Sequence, residues 1–480
     1  MNKLIPASFA LAMALPMAAT HAQTPAAAET AADIKALRQE MEAMRAAYEA
    51  RMQALEQRLR SAEASATAAA KPATAANTSP APAAATATAP TAVATAAPGN
   101  NKTAGANAFN PAISLILSGT YANTSQDPEN YGITGFHLPT DGEFGPGTRG
   151  LSLAESELGI SAQIDPFWRG SLKLALHPDN QVSVEEAYVQ TTSLGHGLTA
   201  KAGRFLSGIG YLNSQHAHSW DFIDNALAYQ ALTGGQYGDD GLQLKWLAPL
   251  DQYLELGAEI GRGRSHPGTD TSRNKPGMWA LSAKTGGDIG ESHSWRLGAS
   301  LLNAKANAQE LVGLNAAGES VHSAFDGDTQ VWVLDAIWKW APNGNATRTN
   351  FKLQGEYLQS RRKGSLLYAA DSDAASSGDY RATLSGWYVQ GVYQFMPAWR
   401  VGLRTERLDA GRPDYGLNSD LYAQSRYKPA KHSLMLDYSP SEFSRIRLQL
   451  AQDRSREGVN DRQLMLQYQM SLGAHGAHSY

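Results

Sequence analysis

Cysteine is absent from the 480 residues. That excludes a disulfide scaffold, a thiolate metal site and a Cys nucleophile. Net charge is nearly absent as well: 41 Lys and Arg stand against 45 Asp and Glu, formally −4. A nucleic-acid partner held by bulk positive charge is therefore excluded. No internal run reaches the roughly 18–20 apolar residues of a membrane-spanning helix. What is present divides sharply along the chain.

Residues 1–22 read as a signal peptide: Lys3 supplies a positive start, Leu4 to Ala19 an apolar stretch, and Thr20-His21-Ala22 a small-residue cleavage site. Residues 32–64 contain no Gly or Pro and place apolar residues from Ile34 and Leu37 to Leu59 and Ala62 at alternating three- and four-residue steps. That is a heptad seam, which predicts a periplasmic coiled coil and self-association. Residues 65–109 are dominated by Ala, Thr and Pro, with almost no charge. Such a segment buries too little apolar surface to offset its ordering entropy and reads as a disordered linker.

From 110 to 480 the hydrophobic period changes from helical to two. Trp332, Leu334, Ala336, Trp338 and Trp340 share one face of a segment whose other face carries Asp335 and Lys339. About sixteen such segments lie between Ile113 and Leu472, separated alternately by short turns and longer stretches at about 123–154, 206–239, 262–276, 304–328, 362–385 and 410–429. Trp168, Trp246, Trp279, Trp295, Trp332, Trp340, Trp387 and Trp399 fall at or near segment ends. An even strand count, alternating turn lengths and aromatic girdles predict an all-β transmembrane barrel of about 16 antiparallel strands, in contact with outer-membrane lipid. The predicted location is the bacterial outer membrane, with the N-terminal region periplasmic.

A barrel of this size is wide enough for a water-filled channel. The predicted function is a channel for diffusion of small solutes or ions. Arg400, Arg404, Arg445 and Arg447 are candidates for a positive ladder on the inner wall, and Glu255 and Glu259 for an opposing negative strip. Mutual pairing of wall charges is the other reading of the same residues. The stretch around 206–238 is apolar and aromatic for a loop and is expected to fold inward, with Phe205, Tyr211, Trp220 and Phe222 anchoring it. His216, His218 and Asp221 on this loop are candidate constriction residues and a candidate divalent-metal set, zinc being the best match to imidazoles and a carboxylate. Histidines that merely bond to backbone are the bland alternative. A second pair, His475 and His478, closes the chain. An outer-membrane hydrolase built on Ser214, His216, Ser219 and Asp221 is a distant reading: these residues crowd one loop, and no nucleophile elbow or metalloprotease helix is present. No cofactor other than a transported or regulatory zinc is indicated.

Val184-Glu185-Glu186-Ala187-Tyr188-Val189, followed by Gly203-Arg204-Phe205 and Gly208-Ile209-Gly210, resembles the matching stretch of phosphate-selective porins of the O and P type. The run through Gln215 to Phe222, Gly235 to Gly241 and the tail Leu472 to His478 is similar to a subgroup described as zinc-regulated outer-membrane proteins, some of them labelled TonB-dependent receptors. The resemblance implies a porin-like barrel, a homotrimer and a long inward loop. An energised receptor needs a folded plug and about 22 strands, and the chain has room for neither. The loop carries His and Asp where the phosphate porins carry Lys. A zinc-associated uptake protein remains the alternative function.

Overall fold

The computed structural model describes residues 111–142, 144–272 and 274–473. The signal peptide, coiled coil, linker and the His475/His478 pair lie outside the described residues.

Sixteen strands form the wall: β1 (Ala112–Thr124), β2 (Ser156–Gln163), β3 (Trp168–Leu176), β4 (Val182–Thr191), β5 (Leu198–Leu206), β6 (Gly238–Leu247), β7 (Tyr253–Gly261), β8 (Met278–Ile289), β9 (His293–Leu314), β10 (Ser320–Trp340), β11 (Asn350–Tyr368), β12 (Ser376–Met396), β13 (Trp399–Asp409), β14 (Ala430–Ser441), β15 (Ser444–Arg454) and β16 (Asp461–Gly473). Each pairs antiparallel with its neighbours in sequence. The sheet closes because β1 pairs with β2 on one side (Ile113 opposite Ile160) and with β16 on the other (Leu117 opposite Met470). Closure pairs the spanning part of every strand on both sides, the condition for placing β-structure in lipid.

Strand alternation sorts the side chains. Leu297, Leu334, Leu353, Val389, Leu403, Leu434, Leu450 and Leu464 are exposed on the outer face. Exposed aromatic residues bound this apolar band, with Trp279, Trp332 and Trp387 above and Trp338, Phe395, Tyr438 and Tyr468 below. Trp387 and Phe395 are eight residues apart on β12, about 26 Å along the strand at roughly 3.3 Å per residue. At a strand tilt of roughly 40° this is about 20 Å of height, close to the roughly 25 Å of an outward apolar band.

Two of the expected long loops are strands. The stretches 304–328 and 362–385 belong mostly to β9–β12, which run 22, 21, 19 and 21 residues, and only 315–319 and 369–375 connect them. A spanning strand needs roughly 9–11 residues, so these four rise well past the band. Above it the polarity pattern inverts. Leu311, Phe325, Leu366 and Tyr380 point inward into a core, while Glu310, Asp326, Lys363 and Arg381 face out. The free edge of upper β9 is covered by Leu138–Pro139, which pairs with Leu311 and Val312. Upper β12 is covered by an Arg381–Asp414 bridge.

Candidate pore constriction

The connection from β5 to β6, residues 207–237, enters the barrel. It holds two 3-10 turns (Leu212–Ser214 and Ala217–Ser219) and one short helix, α1 (Leu227–Thr233), ended by Gly234 in the left-handed conformation. Every residue of α1 is buried. Ile209, Leu212, Leu227 and Leu232 pack with Leu302, Val331, Val333 and Leu358 of the wall, forming an apolar core inside the barrel.

A loop threaded through a polar lumen must satisfy its backbone. Wall carboxylates and amides accept from its N–H groups: Glu259 from Gly208 at 2.8 Å, Glu356 from Tyr211 at 2.9 Å and Leu212 at 2.8 Å, Gln449 from Ile223 at 2.8 Å, and Glu406 from Leu227 at 2.6 Å. Wall arginines donate to its carbonyls: Arg447 to Trp220 at 2.8 Å, Arg445 to His218 at 3.0 Å and Arg404 to Asp224 at 2.9 Å. Gly210 sits at φ +64°, where a Cβ would lie 2.2 Å from the Tyr229 hydroxyl and 2.4 Å from Glu356. Only glycine fits there.

Two loop carboxylates complete the anchorage. Asp221 meets Lys352 at 2.6 Å and Arg400 at 3.3 Å. Asp224 meets Arg404 at 2.8 Å and Lys431 at 2.6 Å and accepts from Gln449 at 2.7 Å. Burial opposes both negative charges, but the facing cations outweigh it and hold both carboxyls below their usual range. Of the expected anchors, Phe205, Trp220 and Phe222 are buried, with the Arg404 guanidinium 4.6 Å from the Phe222 ring centre. Tyr211 lies half-buried under Arg296, 4.5 Å from its ring centre.

The arginine ladder is present in space, and its charge is largely taken up. Arg400 pairs with Asp221 and Asp437, Arg404 with Asp224 and Glu406, and Arg447 with Asp437. Arg445 donates to a backbone carbonyl and to Gln469. Glu259 holds the loop and Gln243, and Glu255 faces Lys245 at 3.6 Å. The pairing reading of the wall charges is the one this geometry favours. Three lumen charges keep water contact: Lys173 on β3 is 24% exposed, Lys245 on β6 33% and Glu255 on β7 21%. Those under the loop lose it, Arg404 and Arg447 being 2% exposed or less.

Asp221 stands apart from His216 and His218, bound instead to cations of β11 and β13. The carboxylates that meet the histidines come from the wall. His216 Nδ1 lies 2.9 Å from Glu185 and its Nε2 3.1 Å from Glu186, so the imidazolium form donates at both ends. Burial opposes that charge, yet the hydrogen bonds and field of Glu185 and Glu186 prevail and raise its pKa from 6.5 to about 10. His218 stacks on His216 with ring centres 5.7 Å apart, and burial lowers its pKa. Glu157 Oε2 lies 3.3 Å from His216 Nδ1 and 3.1 Å from His218 Nδ1, but accepts no well-aligned hydrogen bond. Lys173 binds the other oxygen of Glu157 at 3.3 Å. Ligand atoms of Glu157, Glu185 and His216 lie within 4.8 Å of one another.

No family model matches the chain. Among curated proteins, one of Aquifex aeolicus (strain VF5), itself called an uncharacterized protein, is 30% identical over 402 residues, spanning 78% of this chain and 80% of the relative. The chain belongs to that protein's family. Solved structures similar to it are outer-membrane proteins. The trimer form of OmpT of Vibrio cholerae matches at 10% identity and a TM-score of 0.46, over 75% of this chain and 99% of that one. An anion-selective porin from Comamonas acidovorans matches at 11% and 0.46, over 75% and 99%. The outer membrane channel DcaP of Acinetobacter baumannii matches at 14% and 0.44, over 75% and 97%. These likenesses are of barrel architecture and reach no site residue.

Glu185 and Glu186 escaped assignment to the site, although their signal lies in the sequence. Adjacent carboxylates in a two-period strand put one charge on the lipid face. A β-bulge resolves this: the register slips where Lys173 faces Glu186 and Leu174 faces Val184, leaving Glu185 as the extra residue. The bulge turns both carboxylates into the lumen. Glu157 and Glu356 also emerge as site residues, because each faces a specific part of the loop.

Proposed function

We propose that this protein is a passive channel of the bacterial outer membrane, conducting small solutes or ions past the loop 207–237. The observation that carries this reading is a closed barrel with an outward apolar band whose loop is held by the wall from β7 to β15 and by carboxylates of β2 and β4. Lys173 of β3, Lys245 of β6 and Glu255 of β7 stay in contact with water. Planar-bilayer recording of the purified, folded protein tests it. Stepwise conductance is expected; its absence from a barrel with heat-modifiable gel migration refutes the channel. Assembly as a homotrimer, aided by the segment 32–64, belongs to the same proposal, and no catalytic role is assigned.

One cluster favours a second element, a divalent-cation site at the constriction, zinc being the best match. Three carboxylates (Glu157, Glu185, Glu186) face two imidazoles and Lys173, with Lys201 also acting on Glu186. His216, Glu157 and Glu185 supply borderline and hard ligands of the kind Zn²⁺ accepts. Binding must expel the His216 proton, so affinity rises with pH. Asp221 serves here as the loop's anchor. Titration of zinc block across pH tests this element; block that is absent or independent of pH rejects it.

A further inference from the structure

Above the apolar band, on β11, Arg362 is 2% exposed and points into the space between the tall strands and the segment 262–272. Its Nη2 donates to His266 Nε2 at 2.7 Å, while its Nε and Nη1 have no hydrogen-bond partner. An imidazole that accepts at Nε2 carries its proton on Nδ1, and this Nδ1 is also buried without a partner. Thr329 stands directly opposite Arg362 on β10, and Ser360 precedes it by two on the same face of β11. Both are 0% exposed, and both hydroxyls lack partners.

The cluster is therefore one cation surrounded by unused donors. No carboxylate among the described residues forms an ion pair with Arg362. Arg404, Arg447 and Lys431, buried as deeply as Arg362, each touch at least one carboxylate, whereas Lys284, 5% exposed, shares with Arg362 the lack of an ion pair among the described residues. Water can satisfy an N–H group, but it does not neutralise a guanidinium sealed from solvent, and an uncompensated buried charge is strongly unfavourable. The chemistry that fits is a small inorganic anion, which accepts from every donor and donates to none.

We propose that Arg362, His266, Thr329 and Ser360 form a structural binding site for a chloride-sized monovalent anion. The site locks the segment 262–272 onto β10 and β11. It lies above the band, where His266 packs beside Gly234 at the end of α1, and anion binding there requires no conductance through the barrel. Its role is to hold the outer mouth in shape.

The full-length protein in detergent is tested by thermal unfolding, followed by gel migration, in sodium chloride or bromide against sodium gluconate at equal ionic strength. The halide salts are expected to raise the midpoint by several degrees, and Arg362→Met to abolish that difference. Thr329→Val with Ser360→Ala, which keeps the cation, should reduce it by half or more. Bromide-soaked crystals of the wild type should show anomalous density beside the guanidinium, and this decides the matter if Arg362→Met does not fold. A wild-type midpoint indifferent to halide, a difference that survives Arg362→Met, or no bromide at Arg362 overturns the proposal.

Discussion

Replacing Asp224 with Asn removes one charge from the centre of the loop's anchorage and changes little else in volume. The Asn carbonyl oxygen can still accept from Arg404, now 2.8 Å from the carboxylate. The amide nitrogen must then face donors, because the second oxygen of Asp224 meets Lys431 at 2.6 Å. Breaking a buried ion pair from one side costs about 3–5 kcal/mol. The lower end applies here, since Arg404 keeps Glu406 at 2.7 Å and Lys431 keeps Asp453 at 3.4 Å. The barrel's own ladder is untouched, so the loss falls on docking of the loop. About 3 kcal/mol corresponds to roughly a hundredfold more frequent local opening. Hydrogen exchange by mass spectrometry in detergent reads this directly. Peptides covering 207–237 should exchange roughly a hundred times faster, with β10–β14 unchanged. Because its partners hold the Asp224 carboxyl below the usual range, its contribution is complete above pH 3.8. It is lost only as pH falls through the lower native value, so wild-type protection should persist at pH 5. Unchanged loop protection in the variant, or equal loss across the barrel, would refute the anchoring argument.

His216→Ala with His218→Ala should abolish zinc block of the conductance, measured in bilayers over pH 6–8. The raised pKa of His216, about 10 against 6.5 unfolded, means its ion pairs stabilise the loop fully below pH 6.5 and progressively less toward pH 10. Exchange of 207–237 should therefore quicken over that range, and a flat profile contradicts the imidazolium assignment. Gly210→Ala, forced to φ +64° against Tyr229 and Glu356, should cost at least about 2 kcal/mol of loop docking; exchange rates of the loop equal to wild type would show the strain argument wrong. Deleting residues 23–108 should leave a folded barrel but weaken the trimer in mild detergent, and a wild-type protein that sediments as a monomer would contradict that expectation.

The wall was legible because lipid imposes a strict two-residue period on the spanning part of each strand. It failed as a guide where that constraint ends. Above the band the outward face of β9–β12 turns polar, with Glu310, Asp326 and Lys363, while Leu311, Phe325 and Leu366 turn inward. With the pattern inverted and interrupted by Gly327 and Gly364, these segments read as loops. The inward loop announced itself by aromatic residues that solvent would not favour. Its anchors were less legible, because Asp221 and Asp224 meet partners more than a hundred positions away. Composition signals a charged wall; only the register decides that Arg400, Arg404 and Arg447 are matched to acids rather than offered to a solute.

A loop that narrows a conducting lumen should set the size of the channel's current. Single-channel conductance of the wild type should be compared with that of a chain in which residues 208–236 are replaced by a short Gly-Ser linker. Stepwise channels are expected in both, with a unitary conductance several-fold larger in the replaced chain. Equal conductances, or no channels from a folded wild-type barrel, would contradict that reading.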